Sequence, residues 1–563
     1  MIYHCEDHTC NYWDEGEKLP ERCPQCGRKL LRANEADMTG DDWTALGNTL
    51  WDAEASDKKR MVDCFRKAAY LGSAWGVCNL GICMEQGNGV EADPVQAFWL
   101  YQQAVEMGSL NAVCCLGVCY EYGIGTAPDA KQAAELYCKA AEYGSPRGQM
   151  LLAHAFHDGI GVEADAAEAV HWVRAAAYQR YGEGMYWLGV CYEYGDGVEQ
   201  NWEHAVHWFR EAAESGVSAA MTDLGWCYEK GCGVEQSWEQ AFSWYRRGAE
   251  CGNPVSMSNL GLCYKRGYGV EQNWQEAVKW YEQGAQCGNL QSMNNLAYCY
   301  EYGEGVEQNE ERALYWYRRG AEAGSDYCMY CLGWNYSNGE GVEQNMTEAI
   351  RWYTAAAEGG NADAMHDLGW LYDHGEGVEQ DMKKAICWYE RAAEQNCPAA
   401  MNSLGECYAM GRGVPRDLET AMEWYRRAAE LGEAMADYNM GWHLEQAGKL
   451  SEAYAHYRKA ADGNDDSAWW ALGRFYENGV VVAQDGKEAR RCYETGEKLG
   501  SVKCKMRLAR CKLLGIGGRR AKKAGLDLCR QALELAKESS EKEDYGYEAE
   551  MNLLRRTIAE NES

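Results

Sequence analysis

The chain has 563 residues, with 87 Asp+Glu against 55 Lys+Arg and a formal net charge of −32. This charge argues against a protein that coats nucleic acid or an anionic membrane along its whole length, and it favours basic or neutral partners. No apolar run approaches the roughly 18 residues of a membrane span, and the N-terminus lacks the basic and apolar regions of a signal peptide. The sequence therefore predicts a cytoplasmic protein that does not enter membranes.

Residues 1–36 carry two cysteine pairs, one spaced by four residues and one by two. The stretch resembles a zinc ribbon with a rubredoxin-like knuckle, and its predicted ligands are Cys5, Cys10, Cys23 and Cys26. Four thiolates at such spacings suit tetrahedral Zn²⁺. His4 and His8 are alternative ligands in place of Cys5 or Cys10. Because four protein ligands leave no open position for water, we expect structural rather than catalytic zinc.

From residue 38 onward, a Leu-Gly pair or a close variant returns at nearly constant spacing. The step is 36 residues except for one of 34 and one of 32, at Leu46, Leu80, Leu116, Leu152, Leu188, Leu224, Leu260, Leu296, Leu332, Leu368, Leu404, Met440, Leu472 and Leu508. One hydrophobic pattern per unit at this period is typical of a stacked solenoid. The sequence thus predicts fourteen repeats.

Each unit contains signals for the start and the end of a second helix, here called helix B. Its start is predicted by residues that can cap free amides, at Asp93, Asp129, Asp165, Asn201, Ser237, Asn273, Asn309, Asn345, Asp381 and Asp417. A Glu or Gln three residues later, as at Glu276 and Glu348, predicts a capping box. Its end is predicted by a residue that accepts a left-handed conformation, at Gly108, Gly144, Gly216, Gly252, Gly288, Gly324, Gly360, Asn396 and Gly432. A Gly-x-Gly-Val segment between the two helices is interpreted as a flexible bend.

The pattern L-G-x-x-Y-x-x-G-x-G-V-x-x-x-x-x-x-A-x-x-W-Y-x-x-A-A-E-x-G resembles the Sel-one-like repeat family, a relative of the tetratricopeptide repeat, over nearly all of residues 38–515. The resemblance implies an all-α fold, a right-handed α–α superhelical solenoid of about fourteen helix-turn-helix repeats that holds partner proteins or peptides. We therefore predict a zinc ribbon at 1–36, a solenoid at 37–517 and C-terminal capping helices at 518–563.

Several columns of this pattern are expected to form the core. They are the helix-B tryptophans from Trp172 to Trp424 and the seven methionines from Met185 to Met401, each series spaced by 36 residues. The most regular cysteines also form one column, at Cys83, Cys119, Cys191, Cys227, Cys263, Cys299, Cys407 and Cys511. Equivalent residues of stacked helices lie roughly 8–10 Å apart, beyond the ~7 Å reach of a disulfide. We therefore expect free, buried thiols.

A second aromatic column predicts a binding groove on the first helix of each unit, helix A. The position two residues after the Leu lies about 160° from the buried face and is expected on the inner curve. With neighbouring aromatics it predicts a concave groove made of Tyr186, Trp226, Tyr298, Tyr330, Trp334, Trp370, Tyr438, Trp442 and Trp470. An acidic margin is predicted at Glu193, Glu229, Glu301 and Asp373. The alternatives are that some of these tryptophans pack between neighbouring repeats, and that the carboxylates are solvated helix ends.

Basic residues concentrate near the C-terminus, in contrast to the acidic remainder of the chain. The predicted basic patch contains Arg507, Arg510, Arg519, Arg520, Lys522 and Lys523. It is interpreted either as a solvated terminal helix, as a phosphate or RNA contact, or as an electrostatic match to an acidic surface of another copy. Residues 524–563 predict amphipathic helices that cover the last apolar face.

No catalytic motif accompanies these features. We find no H-E-x-x-H, G-x-S-x-G or phosphate-loop pattern, and the 11 histidines are scattered. We therefore predict a non-catalytic interaction scaffold or adaptor whose partner is a basic or aromatic and apolar protein or peptide. The alternative is a regulatory subunit that contacts nucleic acid through the zinc ribbon and the basic patch.

Overall fold

The computed structural model describes residues 2–5, 13–15, 30–33, 35–51, 55–542 and 547–562. The chain divides into two compact units, Met1–Ser292 and Met293–Ser563, and each is considered by itself. Among the described residues, no helix combines the length and the apolar character that crossing a membrane requires.

Three short strands form an antiparallel sheet at the N-terminus. They are β1 (Ile2–Cys5), β2 (Trp13–Glu15) and β3 (Leu30–Ala33), in the order β2-β1-β3. Ile2 lies opposite both Glu15 and Ala33, and Cys5 lies opposite Leu30. Of the predicted zinc ligands, Cys10, Cys23 and Cys26 lie outside the described residues, and only the backbone of Cys5 is described.

Helices make up the rest of the described chain, after a 3-10 turn at Glu35–Asp37. The A helices are α1 (Gly40–Thr49), α3 (Ala74–Gln86), α5 (Leu110–Tyr122), α7 (Pro146–Asp158), α9 (Gly182–Tyr194), α11 (Ser218–Lys230), α13 (Pro254–Arg266), α15 (Leu290–Tyr302), α17 (Asp326–Asn338), α19 (Ala362–His374), α21 (Pro398–Met410), α23 (Ala434–Gln446), α25 (Asp466–Asn478) and α27 (Val502–Leu514). The B helices are α2 (Ala55–Tyr70), α4 (Pro94–Glu106), α6 (Ala130–Glu142), α8 (Ala166–Tyr178), α10 (Trp202–Glu214), α12 (Trp238–Glu250), α14 (Trp274–Gln286), α16 (Glu310–Glu322), α18 (Met346–Glu358), α20 (Met382–Glu394), α22 (Leu418–Glu430), α24 (Leu450–Asp462), α26 (Gly486–Lys498) and α28 (Lys522–Lys542). A last helix, α29, spans Glu548–Glu562. These fourteen pairs confirm the helical solenoid of fourteen repeats.

The predicted N-caps are confirmed at all ten positions. At Asp93, for example, the carboxylate accepts the amide of Gln96 at 2.9 Å, and the same bond recurs from Asp129 to Asp417. No reciprocal capping box is found at the starts of α14 and α18, where the carboxylates of Glu276 and Glu348 bond Lys279 and Arg351. A reciprocal capping box is present at the N-terminus of α1, between Thr39 and Asp42.

The B helices end as predicted in a left-handed residue. The φ angles are 89° at Gly108, 100° at Gly216 and 60° at Asn396. At the first of these ends, the amide of Gly108 donates to the carbonyl of Val105 at 3.0 Å, and that of Ser109 donates to Ala104 at 3.0 Å. Carbonyls that a helix end would leave unpaired are thereby satisfied.

The Gly-x-Gly segment is a close contact rather than the flexible bend expected from sequence. Gly123 ends α5 in the left-handed region with φ 72°, as glycines do at equivalent helix ends. Gly125 lies against the first residue of the preceding B helix, where an added Cβ would stand 2.1 Å from the carbonyl oxygen of Pro94. Equivalent contacts of Gly161 with Ala130 and Gly197 with Ala166 show that this glycine lets one repeat's loop rest on the previous repeat.

A column of aromatic rings from the B helices forms the centre of most repeats. These rings are fully buried and include Phe65, Tyr101, Tyr137, Phe209, Tyr245, Tyr281, Tyr317, Tyr389, Tyr425, Tyr457 and Tyr493. Each Leu-Gly glycine makes room for one of them. A Cβ on Gly117, for instance, would lie 2.4 Å from the ring of Tyr137.

The prediction that the helix-B tryptophans form the core is wrong for most of them. Trp244 is buried, whereas Trp172, Trp208, Trp280, Trp316, Trp352, Trp388 and Trp424 are partly exposed. Trp388 and Tyr389 are consecutive, so their side chains point about 100° apart, and the buried Tyr389 takes the face toward helix A. The tryptophans cover the edge of the core and pack under arginines, as Arg391 does over Trp388 at 4.3 Å.

The methionine and cysteine columns behave largely as predicted. Six of the seven methionines are buried, and Met329 packs against the core from a partly exposed position. The cysteines of the column are thiols rather than disulfides, and they are buried except that Cys191 is partly exposed. These thiols act as small apolar side chains between the helices.

Candidate partner-binding surface

Four of the predicted groove tryptophans are exposed on A helices. The exposed fractions are 36% for Trp226 in the first unit, and 45%, 37% and 42% for Trp334, Trp370 and Trp442 in the second unit. Each lies two residues after the buried Leu or Met of its helix, which explains why it faces outward. We call Trp334, Trp370 and Trp442 the tryptophan column of the second unit.

The remaining predicted groove aromatics are partly buried. Tyr186, Tyr330 and Tyr438 each pack on the central ring of their own repeat, with centroid distances of 6.0, 5.9 and 5.6 Å. Tyr298 is also partly buried, and Trp470 lies under Arg474 at 4.5 Å. These side chains therefore pack against other residues of the fold more than they project into solvent.

A cavity of about 430 Å³ lies between two of the exposed tryptophans in the second unit. Trp334 and Trp370 line it together with His366, Asp367 and Glu376. The indole of Trp370 is itself held by a stacked contact with His374 at 4.3 Å. The cavity therefore combines aromatic walls with carboxylates. Sequence reasoning missed Asp367 and Glu376 because the columns they occupy are not uniformly acidic.

The carboxylates predicted as an acidic margin take part in bonds within the fold. Glu229 accepts the hydroxyl of Tyr245 at 2.9 Å, and Glu301 accepts that of Tyr317 at 2.7 Å. Asp373 is 4% exposed and pairs with Arg412 at 3.1 Å.

Glu193 differs in its partner, because the ring sixteen residues later is Phe209, which has no hydroxyl, and the carboxylate bonds Tyr194 instead. Burial raises the pKa of Glu193. The sequence contained a signal for the other carboxylates, because a Tyr follows the Glu by sixteen residues in several repeats.

Three members of the predicted basic patch are paired inside the second unit. Arg507 bonds Glu550 at 2.7 Å and Glu477 at 3.3 Å, and Arg510 also bonds Glu477. Arg520 donates to Asn561 at 2.6 Å. These contacts attach α29 to α25 and α27, and four members of the patch are exposed, at Arg519, Arg520, Lys522 and Lys523.

Comparison with known proteins connects this geometry to a family. The model described as Sel1 repeat matches residues 76–109, 112–145, 146–181, 182–217, 218–253, 254–289, 290–325, 326–361, 362–397, 398–433, 434–465 and 468–501. The chain belongs to the Sel1 repeat family. Sel1 repeat proteins are generally protein-interaction scaffolds, so a protein partner is the class of ligand that the family indicates.

Two solved structures illustrate the likeness of this Sel1 repeat protein to its relatives. The protein c5321, a protective antigen of uropathogenic Escherichia coli with an SLR fold, is 29% identical with a TM-score of 0.56, over 76% of this chain and 94% of its own. A Sel1 repeat protein from Oxalobacter formigenes is 31% identical with a TM-score of 0.40, over 43% of this chain and 96% of its own. No match was found among the curated proteins.

Proposed function

We propose that this Sel1 repeat protein is a non-catalytic scaffold that binds a partner protein or peptide on the exposed face of its A helices. The observation that carries the proposal is the cavity between Trp334 and Trp370. Exposed aromatic side chains around a pocket are typical of interaction sites, where they supply most of the binding energy.

The chemistry of the cavity favours a partner that is apolar and basic. An aliphatic or aromatic side chain fits between the two indoles, and a neighbouring Lys or Arg of the partner would meet Asp367 and Glu376. The net charge of −32 adds attraction for such a partner at low ionic strength.

The test uses the full chain as bait in an extract of the native host. In the Trp334→Ala/Trp370→Ala variant, we expect loss of the partner that the unchanged chain retains, because two such anchors cost about 2 kcal/mol or more each. The matched control is Tyr315→Ala/Leu418→Ala, which removes two exposed side chains from B helices of the same unit.

The charge arm of the same experiment uses Asp367→Asn/Glu376→Gln. We expect this variant to retain the partner less well and to lose the salt dependence of binding. If every co-purifying protein stays bound to the tryptophan variant, the surface is not the binding site.

A nucleic-acid contact through the zinc ribbon and the basic patch is the alternative function. It has weaker support, since Arg507, Arg510 and Arg520 bond within the fold. Retention of the chain on an RNA column that disappears in Arg519→Gln/Lys522→Gln/Lys523→Gln would favour this alternative.

A structural zinc site in residues 1–36 is part of the proposal. Its support is the donor set Cys5, Cys10, Cys23 and Cys26, together with the pairing of Cys5 opposite Leu30, four residues after Cys26. We expect about one zinc per purified chain by elemental analysis, and loss of that zinc in Cys23→Ser/Cys26→Ser. Equal zinc content in the variant and the unchanged chain would exclude these ligands.

A further inference from the structure

The repeat of α7 and α8 lacks the aromatic ring that is present in the repeats on either side. In the ring column, Tyr137 and Phe209 flank the repeat formed by α7 and α8, where Val173 takes the position. The same repeat has Ala153 in place of the glycine that faces the ring and His157 in place of the carboxylate that accepts the tyrosine hydroxyl. All three members of the Gly–Tyr–Glu arrangement are therefore replaced together.

A cavity of about 580 Å³ lies at this place in the first unit. Ala153, Val173 and His157 all line it, and Trp187 and Val190 of α9 close the other side. The cavity thus occupies the region where adjacent repeats hold their own ring. A single tyrosine side chain would fill part of this volume, so there is also room for a short substituent on a ring. The volume is within the range of small-molecule sites, about 300–1,000 Å³.

The floor and the mouth of the cavity differ in chemistry. The floor is apolar, because Ala153 and Val173 are buried and Ala169 and Val170 lie beside them. At the mouth, the carboxylates of Asp158 and Asp196 both contact the imidazole of His157. Nδ1 of His157 is 2.6 Å from Asp158 and Nε2 is 3.1 Å from Asp196.

This mouth is negative in either protonation state of the imidazole. The two carboxylates raise the pKa of His157, and even a protonated ring leaves one negative charge in excess. No Lys or Arg lines the cavity, whereas Trp187 and Tyr194 offer aromatic faces. The arrangement suits a cation attached to an apolar ring.

We propose that this cavity binds a small aromatic amine, with the aryl ring against Val173 and the ammonium group beside Asp158 and Asp196. The ring replaces the absent side chain of the repeat, and the ammonium supplies hydrogen-bond donors to carboxylates, as the hydroxyl of Tyr137 does to Glu121 in the repeat of α5 and α6. The site is separate from the tryptophan column of the second unit, so this inference stands independently of the proposed scaffold function.

The experiment titrates tyramine into the full-length chain by calorimetry. We expect saturable binding at one site, and at least about tenfold weaker binding of 3-(4-hydroxyphenyl)propionate, which has the same ring and the opposite charge. Absence of saturable tyramine binding to the unchanged chain would overturn the proposal. Binding of a tyrosine-containing peptide without binding of tyramine would overturn it as well.

Two variants separate occupancy of the cavity from loss of folding. Ala153→Gly/Val173→Tyr gives this repeat a ring and a facing glycine, like Tyr137 and Gly117 in the repeat of α5 and α6, so we expect it to abolish tyramine binding while raising the melting temperature of the chain. Asp158→Asn/Asp196→Asn changes side chains at the mouth that are about half exposed, and we expect about tenfold weaker binding of tyramine with unchanged binding of neutral p-cresol.

A charge-matched control completes the design. Glu163→Gln/Glu199→Gln removes two exposed carboxylates that do not line the cavity, and we expect tyramine binding to be unchanged. Equal binding of tyramine by the ring-restoring variant and the unchanged chain would show that the amine binds elsewhere.

Discussion

The tyrosine hydroxyls inside the repeats bond carboxylates at the ends of the A helices. Tyr101, Tyr137 and Tyr457 donate to Glu85, Glu121 and Glu445 at 2.6, 2.6 and 2.7 Å. A buried hydroxyl without a partner costs about 1–3 kcal/mol. This requirement explains why a glutamate that resembles a solvated helix end is instead a structural acceptor.

Asp465 shows how burial changes the behaviour of an N-cap. It caps α25 through the amide of Ala468 at 2.6 Å, as exposed aspartates cap the B helices. Burial, opposed in part by that hydrogen bond, raises the pKa of Asp465 to about 6. The fold therefore favours the protonated carboxyl, and its contribution to stability is full below about pH 4 and is lost as the pH rises through about 6.

We expect Asp465→Asn to be more stable than the unchanged chain at pH 7.5, by about 2 kcal/mol, because asparagine caps equally well and carries no buried charge. The advantage should shrink toward pH 4. Urea denaturation at the two pH values measures this difference in the free energy of unfolding. Asp485→Asn makes the same substitution at the exposed N-cap of α26 and serves as the control. An advantage that does not change with pH would contradict the assignment of the shift to Asp465.

At the scale of the element, the loop between the two helices of a repeat is determined by two different glycines. The first ends the A helix, and the second touches the previous B helix. In the loop after α25, Val481 occupies the second position and keeps a φ of 64°. A β-branched residue in that region is strained.

A pair of glycine substitutions separates conformation from contact. Gly108→Ala forces alanine to a φ of 89° with nothing within 4 Å of the new Cβ, so we expect a loss of about 1 kcal/mol. Gly125→Ala has a similar φ of 70°, but its Cβ would stand 2.1 Å from the carbonyl oxygen of Pro94. Because the helix start must move, we expect a loss of about 2–4 kcal/mol.

Hydrogen exchange of the amides at the start of α4, together with urea denaturation, measures both effects. The Gly125 variant should lose protection there, whereas the Gly108 variant should not. Equal losses of stability would mean that the second glycine serves only the backbone conformation.

At the scale of the whole molecule, stability comes from contacts between neighbouring helices rather than from one central core. Separate clusters of buried residues follow each other along each unit, as expected for a solenoid in which each repeat contacts its neighbours. A substitution in one repeat therefore changes the stability of that repeat and its neighbours. Hydrogen exchange measures such regional changes, which a single unfolding midpoint averages over the chain.

The same organisation allows single repeats to diverge. The repeat of α7 and α8 has exchanged its ring for a cavity while α6 and α10 on either side keep theirs. The C-terminal repeats contain partly buried ion pairs, in which Arg507 lies between Glu477 and Glu550. Differences in the side chains of one repeat can therefore change the local chemistry without changing the solenoid fold.

The amino-acid sequence by itself determined the period, the number of repeats, the starts and ends of the B helices, the free thiols and the outward direction of Trp334 and Trp370. These properties follow from hydrogen bonds and side-chain directions within a few residues of one helix, which a regular pattern reveals. Only the tertiary structure decided that Glu301 serves Tyr317, that Gly125 touches Pro94, and that the place of an absent ring is a cavity. Those outcomes depend on residues sixteen to forty-three positions apart in sequence, which meet only when helices and repeats pack against one another.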